Sequence, residues 1–235
     1  MNLDQRKVHL KGSPPKAPAV TRTAPWWIRA VFVAIALVIW FWSQSLIGKR
    51  AMPEGGIGDG LHRLLSPWHD FLYTHVEAAN ALLIVSSAII DGLALFLFGS
   101  SIFGKTIRPF LGVVIVLSLR QICQGLCALP PPEQMIWRNP GFPSLLVTYG
   151  VSNDLFFSGH TAVAVLGAIE LARTRIRGLA ILGVAIALFE AITVLTLRAH
   201  YTMDVFTGAM TALVAAYLAQ RLAPFCDATI NRLVT

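Results

Sequence analysis

The chain has 235 residues, of which 55% are hydrophobic and only 13% are charged. Soluble domains carry roughly twice that charged fraction, so the composition argues against an ordinary soluble protein and favours one that faces lipid. The net charge is +7, but the basic residues fall between apolar runs, which is not the pattern of a nucleic-acid-binding face. Three cysteines without a second ligand pair make neither a disulfide framework nor a metal site.

In chain order, a polar and basic segment comes first, over residues 1–24, and it has the composition of a disordered tail. Apolar runs follow, and a bilayer core of about 30 Å requires roughly 20 apolar residues per helix. We therefore predict an all-α polytopic membrane protein with a six-helix catalytic domain over residues 25–222 and a short tail over residues 223–235. The predicted spans are residues 27–47, 78–98, 109–129, 157–172, 178–197 and 203–222.

The loop charges predict an orientation. Lys and Arg are concentrated in the N-terminal tail, after the second and fourth spans, and after the sixth. Six spans place all of these segments on one side, which the positive-inside rule makes cytoplasmic. We therefore expect both termini in the cytoplasm. The loops near residues 48–77, 130–156 and 198–202 are expected on the exoplasmic (periplasmic or lumenal) face.

Two polar motifs begin predicted spans on that exoplasmic face: Ser-Gly-His-Thr at residues 158–161 and His-Tyr-Thr-Met-Asp at residues 200–204. His200 and Asp204 share one face if the last helix begins by residue 200. A carboxylate there can fix the imidazole tautomer and leave the other nitrogen free to attack. Ser158 is a good helix N-cap, Gly159 permits close approach of a ligand, and His160 is placed to donate a proton.

Two arginines are candidates for holding a phosphate. Arg120 lies within the third predicted span near its exoplasmic end, where a charge usually faces a polar cavity. A guanidinium can bind a phosphate through two hydrogen bonds. Arg198 lies nearer the surface, so phosphate binding and snorkelling to the lipid headgroups remain equal alternatives.

Several acidic residues accompany the predicted site. Asp91 and Glu170 are expected to form helix–helix hydrogen bonds in the cytoplasmic half, and Glu190 remains unassigned. Glu133 and Asp154 lie on the exoplasmic loop, where either can orient a histidine.

The motifs resemble those of a known family. Residues 154–161, Asp-Leu-Phe-Phe-Ser-Gly-His-Thr, resemble the Gly-Asp-x-x-x-Ser-Gly-His-Thr motif of sphingomyelin synthases. Residues 200–205, His-Tyr-Thr-Met-Asp-Val, resemble their His-Tyr-Ser/Thr-x-Asp-Val motif. Arg120, followed by Leu-Pro at residues 129–130, resembles the motif that closes their third helix, and Met-Pro-Glu at residues 52–54 is a weak match to their first motif.

This resemblance implies a six-helix fold of the phosphatidic acid phosphatase type 2 superfamily and transfer of a phosphoalcohol from a glycerophospholipid to ceramide or a similar lipid alcohol. It implies that His200 is the nucleophile, that Asp204 orients it and that His160 exchanges protons with the leaving and incoming oxygens. It also implies that Arg120 holds the phosphate, while Ser158, Gly159 and Arg198 are candidate phosphate-binding residues from their types and positions. Tyr201 is a candidate supporting residue, and no cofactor or metal is implied.

The sequence leaves alternatives open. Ser-Asn at residues 152–153 replaces the usual Cys-Gly, which leaves the donor headgroup and the acceptor open. A lipid phosphate phosphatase would use the same histidines with water. Its usual arginine six residues before the second histidine is replaced here by Val194, and the only Arg-Pro pair is at residues 108–109 on the predicted cytoplasmic side. A non-enzymatic transporter or scaffold is the third alternative.

Overall fold

A computed structural model describes residues 57–147, 149 and 155–234, together with the helical positions Ile35, Val38 and Trp42. Several predictions fall outside these residues. They are the basic tail over 1–24, nearly all of the first predicted span, the motif at residues 52–54 and the loop positions 152–154, which include Asp154.

Every regular element in the described part of the chain is a helix. After the three isolated helical positions, the helices are α1 Gly60–Leu64, α2 Ser66–Thr74, α3 Val76–Ile102, α4 Arg108–Leu126, α5 Gly159–Arg173, α6 Arg177–Thr196 and α7 Thr202–Val234. Helices α3 to α7 match the last five predicted spans to within a few residues, except at the end of α7. There the segment predicted as a C-terminal tail continues the helix past Pro224 as far as Val234.

Within the described residues, four helices are long and apolar enough to cross a membrane: α3, α4, α6 and α7. These four support an integral membrane protein, whereas the full count of six spans remains a prediction. The predicted fourth span is the 15-residue helix α5, which measures about 22 Å at 1.5 Å per residue. Nine of its 15 residues are buried. Because α5 is enclosed by other helices, lipid thickness does not set its length.

Close packing around α5 depends on small residues. A Cβ added to Gly183 of α6 would lie 2.7 Å from Ala168 Cα, and one added to Gly167 of α5 would lie 2.8 Å from a methyl group of Leu93. On the outer face of α6, in contrast, Ile181, Val184, Leu188 and Ile192 recur at helical spacing and are more than half exposed. Such an apolar stripe is suited to contact with lipid.

The predicted exoplasmic loop before α3 contains two short helices that periodicity did not indicate. Asp59 is the N-cap of α1, and its Oδ1 accepts hydrogen bonds from the backbone N–H groups of Leu61 (2.9 Å) and His62 (3.1 Å). Pro67 stands in the first turn of α2, where its missing N–H costs nothing. These helices are too short for a pattern of apolar residues to reveal.

Candidate active site

A small cavity of about 60 Å³ lies where the two predicted motifs and the end of α4 come together. Arg120, Gly159, His160 and His200 all line it. The rest of the described lining is apolar or aromatic: Ile90, Leu117, Trp137, Leu146, Val147, Leu155, Val163 and Ala199. The guanidinium of Arg120 contributes a positive charge to this lining, and positive charge in a confined cavity attracts anions.

His160 lies in the first turn of α5, and the predicted Ser158 cap is confirmed. Ser158 is fully buried, and its Oγ accepts hydrogen bonds from the backbone N–H of Thr161 (3.3 Å) and from the Thr161 hydroxyl (3.1 Å). The cap fixes the start of the helix and therefore the direction of the His160 side chain. His160 Nε2 is buried and has no hydrogen-bond partner among the described residues.

His200 and Asp204 are close, but not for the predicted reason. Helix α7 begins at Thr202, so His200 lies in the preceding turn and the two residues are not on one helical face. Its Nδ1 lies 3.8 Å from Asp204 Oδ2, beyond hydrogen-bond distance. That carboxylate oxygen instead accepts the backbone N–H of Tyr201 at 2.9 Å. Within the described part of the chain, His200 Nδ1 and Asp204 Oδ1 are buried without a partner.

Arg120 lies near the end of α4 and reaches the start of α5. Its Nε donates a hydrogen bond to the carbonyl of Phe157 at 3.1 Å. A Cβ added to Gly159 would lie 3.2 Å from the same Nε. The glycine therefore leaves space for the guanidinium, and both residues line the cavity.

Arg198 is outside the lining of the cavity, which argues against the predicted phosphate contact. One of its terminal nitrogens donates to the carbonyl of Glu133 and to the side chain of Gln134, both at 3.3 Å. The other donates to Ser66 Oγ at 3.2 Å. The guanidinium thus joins the loop at residues 133–134 to α2. Glu133 contributes its backbone carbonyl, while its side chain is on the exposed surface.

Tyr201 has a supporting position beside the site. Its hydroxyl donates to the carbonyl of Pro130 at 3.1 Å, and its ring stacks on His62 with centroids 5.7 Å apart. Burial, and then the nearby Asp204 carboxylate, raise the pKa of Tyr201 above its usual value of 10.0. The hydroxyl therefore remains protonated and keeps this hydrogen bond at neutral pH.

Sequence reasoning missed Trp137, which lines the cavity and packs against His160. The ring centroids are 5.2 Å apart and the planes are nearly perpendicular, at 83°. Trp137 also contacts Tyr149, with centroids 5.0 Å apart. The Tyr149 hydroxyl is hydrogen-bonded to that of Ser87 at 2.5 Å. In the sequence, Trp137 is marked only as a large aromatic residue within the predicted exoplasmic loop near residues 130–156.

The acidic residues of the spans have structural partners. Glu170 forms an ion pair with Arg108 of α4 at 2.7 Å, which confirms its predicted helix–helix role. The same prediction is wrong for Asp91, because its carboxylate accepts the backbone N–H groups of Leu145 (2.9 Å) and Leu146 (3.1 Å). Asp91 therefore holds the loop whose residues Leu146 and Val147 line the cavity. Glu190 accepts a hydrogen bond from Ser86 of α3 at 2.6 Å.

The model of the AtPDCT1/2 family matches residues 59–221, which include every cavity residue named above. The chain belongs to the AtPDCT1/2 family. The match is to this family and not to the sphingomyelin synthases, so it does not support the predicted resemblance to sphingomyelin synthase specifically. The predicted resemblance is thus confirmed only at the coarser level, that of a lipid-modifying enzyme.

One similar solved structure is the crystal structure of Aquifex aeolicus LpxE. It matches with a TM-score of 0.48 and 20% sequence identity, over 68% of this chain and 93% of LpxE. No curated protein sequence matches the chain.

Proposed function

We propose that this AtPDCT1/2 family member transfers a phospho-headgroup from a glycerophospholipid to a lipid alcohol through a phosphohistidine. The observation that carries the proposal is the shared cavity, which is lined by two imidazoles and a guanidinium. The family is phosphocholine transferase-like, so phosphocholine is the headgroup that we propose first. Ceramide and diacylglycerol are the lipid alcohols to be tested as acceptors.

In the first half-reaction, a ring nitrogen of His200 attacks the phosphorus of the donor lipid. The bond from phosphorus to the glycerol oxygen breaks, and His160 gives its proton to that oxygen, which releases diacylglycerol. Asp204, 3.8 Å from Nδ1 of His200, stabilises the positive charge that develops on the ring. Such contacts are often long before substrate binds and shorten in the complex.

The second half-reaction reverses these roles. His160, now neutral, takes the hydroxyl proton of the acceptor as its oxygen attacks the phosphorus. The bond from phosphorus to nitrogen breaks and His200 is regenerated. Arg120 neutralises charge on the non-bridging phosphate oxygens in both steps. Water in place of the lipid alcohol would give hydrolysis, so the same intermediate serves the phosphatase alternative.

The proposal places this cavity on the exoplasmic face, with both termini in the cytoplasm. Its support is the distribution of charge between the two ends of the helices. Arg120 and His160 lie at one end of α4 and α5, whereas Arg108 and Arg173 lie at the opposite end. The second end carries the basic loops that the positive-inside rule assigns to the cytoplasm.

The test uses purified protein in vesicles with unlabelled phosphatidylcholine and a labelled acceptor. If labelled diacylglycerol is converted to labelled phosphatidylcholine, or labelled ceramide to labelled sphingomyelin, the protein is a transferase and the acceptor is identified. Parallel reactions with headgroup-labelled phosphatidylcholine, phosphatidylethanolamine and phosphatidylinositol establish the donor. Release of free headgroup phosphate instead identifies a phosphatase, and the absence of every product across this panel contradicts both enzyme proposals.

A further inference from the structure

The turn that carries His200 has little regular structure of its own. It joins the end of α6 at Thr196 to the start of α7 at Thr202. Within it, Arg198 has a φ of +51°, a left-handed conformation that is costly for a residue with a side chain. Backbone bonds to the end of α6, such as that from the Ala199 N–H to the Val194 carbonyl at 2.9 Å, hold part of the turn, and contacts from other segments add to them.

Residues 59–69, which include α1, contact every second residue of the turn from 196 to 202. The two stretches of chain run in opposite directions. At the start of the turn, His69 Nδ1 donates a hydrogen bond to the carbonyl of Thr196 at 2.9 Å. Next, Arg198 donates to Ser66 Oγ at 3.2 Å. The α2 helix therefore fixes the first half of the turn.

Asp59 and His62 of the α1 region fix the second half, on both sides of the reactive imidazole. His62 Nε2 donates to the carbonyl of His200 at 2.9 Å, in a buried environment. The two Asp59 oxygens accept the backbone N–H and the hydroxyl of Thr202, each at 2.6 Å. A single carboxylate thus caps the first turns of α1 and α7 together.

We propose that Asp59 and His62 are positioning residues that set the direction of the His200 ring toward the cavity. The proposal rests on the proposed function of His200. The His200 carbonyl and the Thr202 amide are the backbone groups on either side of residue 201, so fixing both prevents rotation of the peptide planes that follow His200. Rotation there would move Nδ1 away from Asp204, and a displacement of about 1 Å costs on the order of a hundredfold in rate.

The test compares His62→Leu, which removes the donor, with His62→Gln, whose amide N–H lies near the position of Nε2. The matched control is His75→Leu, since His75 is exposed and bonds within its own turn to Phe71 and Thr74. Asp59→Asn removes the charge of the cap, and Asp70→Asn is its control on α2. Thr202→Val removes one of the two bonds to Asp59 and keeps the backbone bond, which provides a milder variant should the others fail to fold.

Two measurements are made on each variant. The first is kcat and KM for headgroup transfer. We expect His62→Leu and Asp59→Asn to lower kcat roughly 10- to 100-fold with KM within about twofold, and His62→Gln to restore most of it. The second is amide hydrogen exchange of the peptide spanning residues 197–203, which should become at least about tenfold faster in His62→Leu and Asp59→Asn but not in the controls.

The outcomes separate the two proposals. Unchanged kcat and unchanged exchange in His62→Leu overturn the positioning role, as does equal loss in His62→Leu and in His75→Leu. If the wild-type protein transfers no headgroup, the proposed function fails. The exchange measurement alone then decides whether Asp59 and His62 hold the turn. Faster exchange then supports the fixing of the turn by α1, and unchanged exchange overturns it.

Discussion

The backbone N–H of Ser158 donates a hydrogen bond to the carbonyl of Asp204 at 3.1 Å. This bond joins the two histidine motifs directly, although 46 positions separate these residues in the chain. It is possible because Gly208 lets α7 approach: a Cβ there would lie 2.5 Å from the Ser158 carbonyl. The relative position of the two imidazoles therefore depends on a contact between backbones.

Gly208→Ala should separate the motifs. The added methyl group cannot be accommodated beside a backbone oxygen, so we expect destabilisation of about 1–3 kcal/mol from overpacking and a loss of transfer activity larger than the loss of folded protein. Gly99→Ala is the control, because a Cβ there meets nothing within 4 Å; it should be neutral or stabilising. Thermal unfolding and activity of the two variants are compared. If the two variants have the same Tm and the same activity, the close approach of α7 to the Ser158 carbonyl is contradicted.

Arg120→Lys should lose most activity even though it keeps the positive charge. A lysine cannot bond to the Phe157 carbonyl through a planar Nε–H and also present two parallel donors to a phosphate. We expect kcat/KM to fall roughly 10- to 100-fold, as for removal of a preorganised donor. Arg138→Lys serves as the control, since Arg138 is exposed and bonds to Asn80. Full activity of Arg120→Lys would rule out the bidentate role.

The orientation in the membrane can be tested with the native cysteines. Cys127 is exposed and caps the same end of α4 that carries Arg120, and Cys226 lies on α7 toward its C-terminal end. In variants that retain one cysteine each, an impermeant thiol reagent should label Cys127 from the exoplasmic side of sealed vesicles. Cys226 should react only after permeabilisation. The reverse pattern would place the cavity on the cytoplasmic face.

The Asp59 cap predicts a specific loss of stability in acid. Burial alone would raise the pKa of this carboxyl, but the hydrogen bonds from Thr202 and His62 outweigh it and hold the pKa below its usual 3.8. The stabilisation is therefore fully present above pH 3.8 and is lost as the pH falls through the lower folded-state pKa. We expect the difference in Tm between wild type and Asp59→Asn to be constant from pH 5 to pH 7 and to shrink below pH 3.8. A difference that does not change with pH would contradict the charged cap.

The sequence predicted the parts of this molecule that depend on local pattern. Hydropathy located helices α3 to α7, and Ser158 was identifiable as a cap from its residue type and place. Loop charges brought both histidine motifs to one end of the helices, and the structure places His160 and His200 in one cavity. These features depend on composition and short spacing, which a single sequence carries.

Other features depend on distant contacts and could not be predicted. The proximity of His200 and Asp204 comes from a turn held by α1, not from a helical face. Arg198 was an equal candidate for phosphate binding, but in the structure its two terminal nitrogens bond to residues 133–134 and to α2. Asp91 binds loop amides 54 and 55 positions away. In each case, the partner lies far along the chain, so no local pattern in the sequence indicates it.

The most direct test of the central claim is the covalent intermediate. Headgroup-labelled phosphatidylcholine is mixed with enzyme without acceptor, quenched at neutral to alkaline pH, digested and mapped by mass spectrometry. We predict a phosphocholine adduct on His200 that disappears on mild acid treatment, forms far more slowly in His160→Ala and is absent from His200→Ala. An adduct on another residue, or transfer at the wild-type rate by His200→Ala, would contradict the account.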